Sequence, residues 1–410
     1  MRLHRIVRQV GLFGTALALL VGGGVFAQEN SFGVTFPPLS GDYPVGMTMR
    51  TYTDESRLEI YTEDASDSRT IPVTFYYPAA PAANEVSGVY ATPAEVEAFT
   101  SALGLPPFVS DAFHPNFIRD AAGQPAEGGY PVLLFMPGLG TPPRFYVSLL
   151  EQVASHGYVV AVVDPVYSTA LSLFPDGSYV EAVPQGLDVS TPELRDALGA
   201  SWVNDARFIL DTLTAVNADD PLLAGLFDLT RVGMFGHSFG GAAAFQMAHD
   251  DDRVRAAINM DGSPFGTVIA EGVGKPILYM LSEEASAAST TITDEALEAA
   301  GITREAFDAM LAEQLADRAS LLESSPSAYQ FVLAGSKHNT YSTDSGLARR
   351  LLPLLVPEEM VGTIEPDRAV KVISDYVVAF FDQHVKGEAV SLFDDPSTDY
   401  PEVTLEVFGS

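Results

Sequence analysis

Residues 231–241 read Arg231-Val232-Gly233-Met234-Phe235-Gly236-His237-Ser238-Phe239-Gly240-Gly241. A β-branched and apolar run leads in, and Ala242-Ala-Ala-Phe-Gln-Met-Ala248 leads out with good helix formers. Gly236 and Gly240 flank Ser238 in a G-x-S-x-G spacing. Small residues are required at both places because a strand that turns abruptly into a helix leaves no room for side chains across the bend. Such a turn lifts the serine hydroxyl clear of the sheet and aims a helix N-terminus at a developing oxyanion. Five residues alone make a weak motif, and an ordinary tight turn is the competing reading. The buried strand before it and the Ala-rich helix after it make the motif specific to a nucleophile elbow.

Working outward, the middle of the chain alternates strand and helix. Residues 130–136, 158–163, 254–260, 276–281 and 329–333 are short continuous apolar runs, and helical patterns occupy 145–155, 202–216 and 367–386. Strands that are apolar on both faces and separated by helices predict a mostly parallel sheet covered on both sides. An N-terminal strand extension is expected over 47–53, 58–62 and 71–77, and Thr92-Pro93-Ala94-Glu95 offers a capping box that opens a helix to residue 103.

The ends and the composition bound the setting. Arg2, Arg5 and Arg8 precede an apolar, Gly-rich segment over 10–26, and Val25-Phe26-Ala27 suits a signal peptidase, so a signal peptide over 1–27 is expected, with one domain over 28–410. The expectation is export, to the periplasm or the medium, with no stable membrane insertion after cleavage. The chain has no cysteine, so its core must hold without disulfides. With 22 Lys and Arg against 54 Asp and Glu, the formal charge is −32 at pH 7. The acids are dispersed, which predicts a solvating surface and argues against nucleic acid as a partner. No metal-ligand spacing or calcium loop occurs, and no cofactor or metal is expected.

Ser238 needs a base, because a serine hydroxyl is a poor nucleophile at neutral pH. Of the seven histidines, His338 alone follows a late apolar strand, in Leu333-Ala-Gly-Ser-Lys-His338. Binding and reacting groups collect at that edge of open α/β sheets. His237 sits inside the elbow, where its side chain diverges from that of Ser238. For the orienting acid, Asp261 ends the 254–260 strand, while Glu283 and Glu284 end the next one. The short Asp261 side chain on a Gly262 turn is the favoured choice. Oxyanion donors are expected from the N–H groups of Phe239 and Leu139, since Pro137 in Pro137-Gly-Leu-Gly140 has none.

Together these residues resemble the platelet-activating-factor acetylhydrolase family of α/β hydrolases. The similar segments are Tyr76-Tyr-Pro-Ala79, Pro131-Val-Leu-Leu-Phe-Met-Pro-Gly-Leu-Gly140, Ala154-Ser-His-Gly-Tyr-Val-Val160 and Gly236-His-Ser-Phe-Gly-Gly241. The resemblance implies the α/β-hydrolase fold and a metal-independent carboxylic ester hydrolase on a small-molecule or lipid ester. It also implies Ser238 as nucleophile, Asp261 as acid, His338 as base, and Leu139 and Phe239 as oxyanion donors. Polyester hydrolase, lipase and acyltransferase remain rival activities on the same fold, as does a non-catalytic binding or scaffold protein.

Two segments depart from the family pattern, the first being Met136-Pro137 in place of the histidine or serine often seen before the Gly-Leu-Gly turn. A helical insertion is expected at about 285–327, with hydrophobic staples pairing Ile292 with Leu297 and Ile302 with Phe307. Phe307, Met310, Leu311, Leu315 and Leu322 fall on one helical face. That face either packs on the helix layer of the sheet or forms a cap beside the acyl pocket.

Overall fold

The seven-residue apolar run Tyr130–Met136 is buried at every position, which the interior of a sheet covered on both faces explains. The computed structural model describes residues 33–81, 88–286, 293–294, 297–298, 301–394 and 398–408. Its main sheet has ten strands: β1 (Val45–Leu58), β2 (Ser68–Pro78), β3 (Ile118–Arg119), β4 (Tyr130–Met136), β5 (Val159–Val163), β6 (Phe227–His237), β7 (Val254–Met260), β8 (Ile277–Ser282), β9 (Ala328–Leu333) and β10 (Val403–Phe408). Their spatial order is β10-β9-β8-β7-β6-β4-β5-β2-β1-β3. From β5 to β9 every neighbouring pair is parallel, whereas β1–β2, β2–β5 and β9–β10 are antiparallel.

Side-chain alternation along each central strand feeds two separate cores. Leu133 and Phe135 of β4 join Phe235, Ile258 and Met280 on one face. Helices α1 (Pro93–Leu103), α2 (Val147–Ser155) and α6 (Pro366–Phe381) cover that face, with Ile373, Val377, Phe380 and Phe381 buried. Val132, Leu134 and Met136 point the other way, onto α3 (Pro192–Asp219) and α4 (Phe239–Asp250), where Trp202 and Phe245 fill the second core. This is the mostly parallel, doubly covered sheet expected from the run of elements, and the α/β-hydrolase architecture that the resemblance implies. The capping box at Thr92 is present, with Glu95 bonded back to the Thr92 N–H.

Several boundaries differ from the sequence expectation. Residues 59–62 are not strand, and Glu59 turns inward to pair with Arg69 while Ile60 is exposed. Helix α3 starts ten residues before the expected position: Thr191 caps it and Pro192 opens it, but its first turns lie on the surface and lack the apolar period. Strand β10 was not expected, because this edge strand alternates Val403, Leu405 and Val407 with polar neighbours in a short, charged tail. In the insertion, helix α5 (Arg304–Glu323) is capped by Thr303, but of its apolar face only Phe307 and Leu322 are buried, joined by Leu321. Met310 and Leu315 are exposed, and Ile292 lies outside the described residues. Among the described residues no helix is long and apolar enough to cross a membrane.

Candidate active site

Ser238 is the residue between β6 and α4, and its backbone takes φ 54° and ψ −122°. A non-glycine residue held there carries strain that the surroundings must over-determine. They do so by close contact: a Cβ on Gly236 would stand 2.4 Å from the Gly240 carbonyl carbon, and one on Gly240 would stand 2.3 Å from the Met136 oxygen. The Ser238 N–H continues the ladder to the Met260 carbonyl at 2.7 Å, which pins the turn to the end of β7.

Asp261 directly follows β7 and is another non-glycine residue at positive φ, 60°. Its N–H donates to the Met280 carbonyl at 2.7 Å, so the turn hangs on the end of β8. The carboxylate is almost wholly buried. One oxygen accepts the Ser282 N–H at 2.8 Å; the other accepts the Ser282 hydroxyl at 3.0 Å and lies 2.8 Å from His338 Nδ1. Burial pushes the Asp261 carboxyl up, but the hydrogen bond and charge of His338 and the Ser282 N–H outweigh it and hold the group below its ordinary value. His338 lies on the loop after β9, and its Nε2 is 3.0 Å from Ser238 Oγ. Ser238, His338 and Asp261, far apart in sequence, thus form one continuous hydrogen-bonded line at the C-terminal edge of the parallel strands.

The alternative acids stand elsewhere. Glu283 accepts the Gly335 N–H at 2.8 Å and Glu284 pairs with Lys337 at 2.9 Å; both brace the loop leading to His338 without touching its ring. Four other histidines stand elsewhere: His114 lies in a two-residue strand paired with residues 34–35, His156 contacts Ser40, His249 contacts Glu271, and His384 contacts the Tyr329 hydroxyl.

Of the two expected oxyanion donors, Phe239 directly follows Ser238 and Leu139 lies in the turn after β4. Phe239 is the first residue of α4, where N–H groups have no intrahelical partner. In the Gly138-Leu139-Gly140 turn, the Gly138 N–H is taken by the Tyr146 hydroxyl at 3.0 Å and the Gly140 N–H by the Ser168 carbonyl at 2.8 Å. The Leu139 N–H donates to no described group. A Cβ on Gly138 would stand 3.3 Å from Ser238 Cβ, so this turn presses on the elbow itself. The arrangement offers Ser238 Oγ as a nucleophile toward a carbonyl carbon, with the N–H groups of Phe239 and Leu139 as the candidate donors to its oxygen. Among the described residues no cluster of three or more His, Cys, Asp or Glu side chains is placed to hold a metal ion.

Three features were not foreseen from the sequence: Ser282 bonding both oxygens of Asp261, Asn259 clamping Gly262 by donating its NH2 to the carbonyl and accepting the N–H on its amide oxygen, and a buried pair formed by His237 and Tyr146. Ser282 ends its strand at the level of Asp261, so parallel register was the available signal. Nothing local pairs His237 with a tyrosine 91 residues away.

Comparison with known proteins finds esterases and acetylhydrolases. The family described as platelet-activating factor acetylhydrolase, isoform II, matches residues 217–395, and the chlorophyllase family matches residues 121–198. A probable 1-alkyl-2-acetylglycerophosphocholine esterase of Arthroderma benhamiae is 27% identical over 285 residues, covering 68% of this chain and 66% of that protein. The platelet-activating factor acetylhydrolase of Cavia porcellus is 26% identical over 298 residues, covering 64% of each. The match therefore spans just under two-thirds of the length of these relatives. Among solved structures, a ferulic acid esterase from Streptomyces cinnamoneus superposes with a TM-score of 0.74 at 26% identity, over 91% of this chain and 99% of that one. The chain is an α/β hydrolase by fold, and its family likeness is to the platelet-activating factor acetylhydrolases.

Proposed function

We propose that the protein is an exported serine carboxylic ester hydrolase acting through an acyl-enzyme. The observation that carries this reading is the unbroken line from Ser238 Oγ through His338 to the buried Asp261 carboxylate, at 3.0 and 2.8 Å. Ser238 Oγ attacks the ester carbonyl and its proton passes to His338 Nε2. The N–H groups of Leu139 and Phe239 hold the oxyanion, and Asp261 stabilises the imidazolium. The C–O bond to the alcohol then breaks, and the alcohol leaves with the proton from His338. Water, deprotonated by the same nitrogen, attacks the acyl carbon, releases the acid and restores the Ser238 hydroxyl.

The relatives, named as an acetylhydrolase and as esterases, support an ester substrate. Short acyl groups are the expectation carried by the likeness to a relative named as an acetylhydrolase and to one named as an esterase of an acetylated glycerophosphocholine. We expect p-nitrophenyl esters of C2 to C6 acids to be cleaved faster than those of C14 to C16 acids. A maximum at long chains, sharpened by an oil–water interface, marks a lipase instead.

Ser238→Ala is expected to abolish both turnover and labelling by a fluorophosphonate. Unchanged esterase activity in that variant sinks the proposal. Labelling of the wild type with product formed only when an alcohol is added points to acyl transfer. For export, protein recovered from periplasm or medium is expected to begin at Gln28, where cleavage after residues 25–27 leaves it.

A further inference from the structure

His237 is buried between the two halves of the site, and both its ring nitrogens are engaged. Nε2 lies 3.0 Å from the backbone carbonyl of His338, and Nδ1 lies 2.8 Å from the hydroxyl of Tyr146. That hydroxyl accepts the Gly138 N–H at 3.0 Å. Tyr146 and His237 have almost no exposure, so water does not substitute for any of these partners.

The protons along this line assign themselves. A backbone carbonyl offers no hydrogen, so His237 Nε2 must donate to it. A neutral imidazole then has Nδ1 as an acceptor, so the Tyr146 hydroxyl must donate its own proton there. The oxygen of Tyr146 is left to accept from the Gly138 N–H, with the Thr141 hydroxyl beside it as a second donor. Burial, with His338 adding to it, lowers the His237 pKa to about 3, which keeps the ring neutral. The other titratable groups facing it are Tyr146 and Tyr341, and beyond His338, Asp261. Every donor in the series points the same way, and bonds in such a chain reinforce one another.

We propose that Tyr146 and His237 form a positioning relay that locks the oxyanion turn at Gly138–Leu139 to the backbone of His338. The inference rests on the ester-hydrolase reading of the site and adds residues that never touch the substrate. The Leu139 N–H belongs to the peptide next to the one held by Tyr146. The carbonyl held by His237 belongs to the residue that supplies the base. Contact reinforces the bonds: a Cβ on Gly138 would stand 3.1 Å from His237 Nδ1, and the rings of His237 and His338 are centred 4.6 Å apart. A second tie comes from Asp344, on the segment after His338, whose carboxylate accepts the N–H groups of Val147 and Ser148 at 3.1 and 2.9 Å. It caps the helix that begins just after Tyr146, so both ends of the relay are anchored between the same two segments.

The decisive variant is Tyr146→Phe, which deletes one oxygen and keeps the ring. Oxyanion donors act in the transition state more than on bound substrate, and small misplacements at this range are costly. We expect kcat for p-nitrophenyl acetate to fall about 10- to 100-fold with KM changed by less than about threefold. His237→Gln, whose amide N–H reaches the same carbonyl, is expected to retain more of kcat than His237→Ala. A folded Tyr146→Phe enzyme with wild-type kcat overturns the relay, and so does a loss confined to KM. Should these variants fail to fold, nitrogen-15 spectra of the wild-type histidines decide. His237 is expected as the Nε2–H tautomer, unchanged from pH 5 to 9, and an Nδ1–H tautomer refutes the chain of donors. Absence of turnover and of fluorophosphonate labelling in the wild type counts against the hydrolase reading, while the tautomer still reports on the relay.

Discussion

Asp261→Asn swaps one oxygen for an NH2 group at nearly constant shape, and the surrounding bonds dictate which oxygen is lost. The Ser282 N–H points at one carboxylate oxygen at 2.8 Å and, being backbone, cannot reverse its role. The amide oxygen of the variant must take that place, which puts the NH2 where the other oxygen now faces His338 Nδ1 at 2.8 Å. The Ser282 hydroxyl, now a donor at 3.0 Å and an acceptor from the Ala285 N–H at 3.1 Å, can rotate and accept from the new NH2 through its second lone pair. A donor facing Nδ1 forces His338 into the tautomer with its proton on Nε2. That proton then points at Ser238 Oγ, 3.0 Å away, and the ring cannot accept another. The expected loss in kcat is about 10³- to 10⁴-fold, or about 4 to 5.5 kcal/mol of transition-state stabilisation. Stopped-flow or steady-state hydrolysis of p-nitrophenyl acetate across pH 6–9 measures it, with folding checked by circular dichroism. Glu283→Gln and Glu284→Gln, which disturb only bonds to Gly335 and Lys337, are the controls. A kcat within tenfold of wild type for Asp261→Asn, or a larger loss in either control, refutes the reasoning.

Asp205 is fully buried, 2.7 Å from Arg69 and 2.9 Å from Arg57, so Asp205→Ala removes a shared carboxylate and leaves Arg69 to Glu59 and Arg57 to Asp54. The expected destabilisation is about 2–3 kcal/mol by denaturant titration, the range for lost charge-assisted hydrogen bonds, and a change below about 1 kcal/mol contradicts it. Burial raises the Glu151 carboxyl to about 8 against the bonds it accepts from Asn116 and Phe117. A carboxyl raised in the folded state contributes stability that is fully present below its unfolded value of 4.5 and is lost as pH rises to about 8. The melting temperature is therefore expected to drop across that window less steeply in Glu151→Gln than in the wild type, and equal slopes exclude Glu151 as a cause. Activity is expected to survive extensive treatment with EDTA, since the proposed chemistry uses only side chains and backbone; loss restored by a divalent ion contradicts it.

What the sequence determined by itself is local or follows strand order. The elbow is written in consecutive residues, because the steric demand at Gly236 and Gly240 is met within one turn of chain. The parallel sheet was legible because β4, β5 and β7 are apolar on both faces, and the positions of Asp261 and His338 followed from strands that end at one edge. Periodicity could not find β10 or the first turns of α3, since both lie where solvent removes the pressure for an apolar pattern. Helix α5 shows the converse: its apolar stripe was plain in the sequence, yet Met310 and Leu315 face solvent, because burial depends on what lies opposite. Only the tertiary structure decided which acid approaches His338, since Asp261 and Glu283 both end strands at the same edge and differ by where their turns point. The same holds for Tyr146 and His237, which meet across 91 residues of chain because α2 and β6 flank the same strand end. Contacts between distant segments leave no spacing in a single sequence, and the ties that hold this site in register are of that kind.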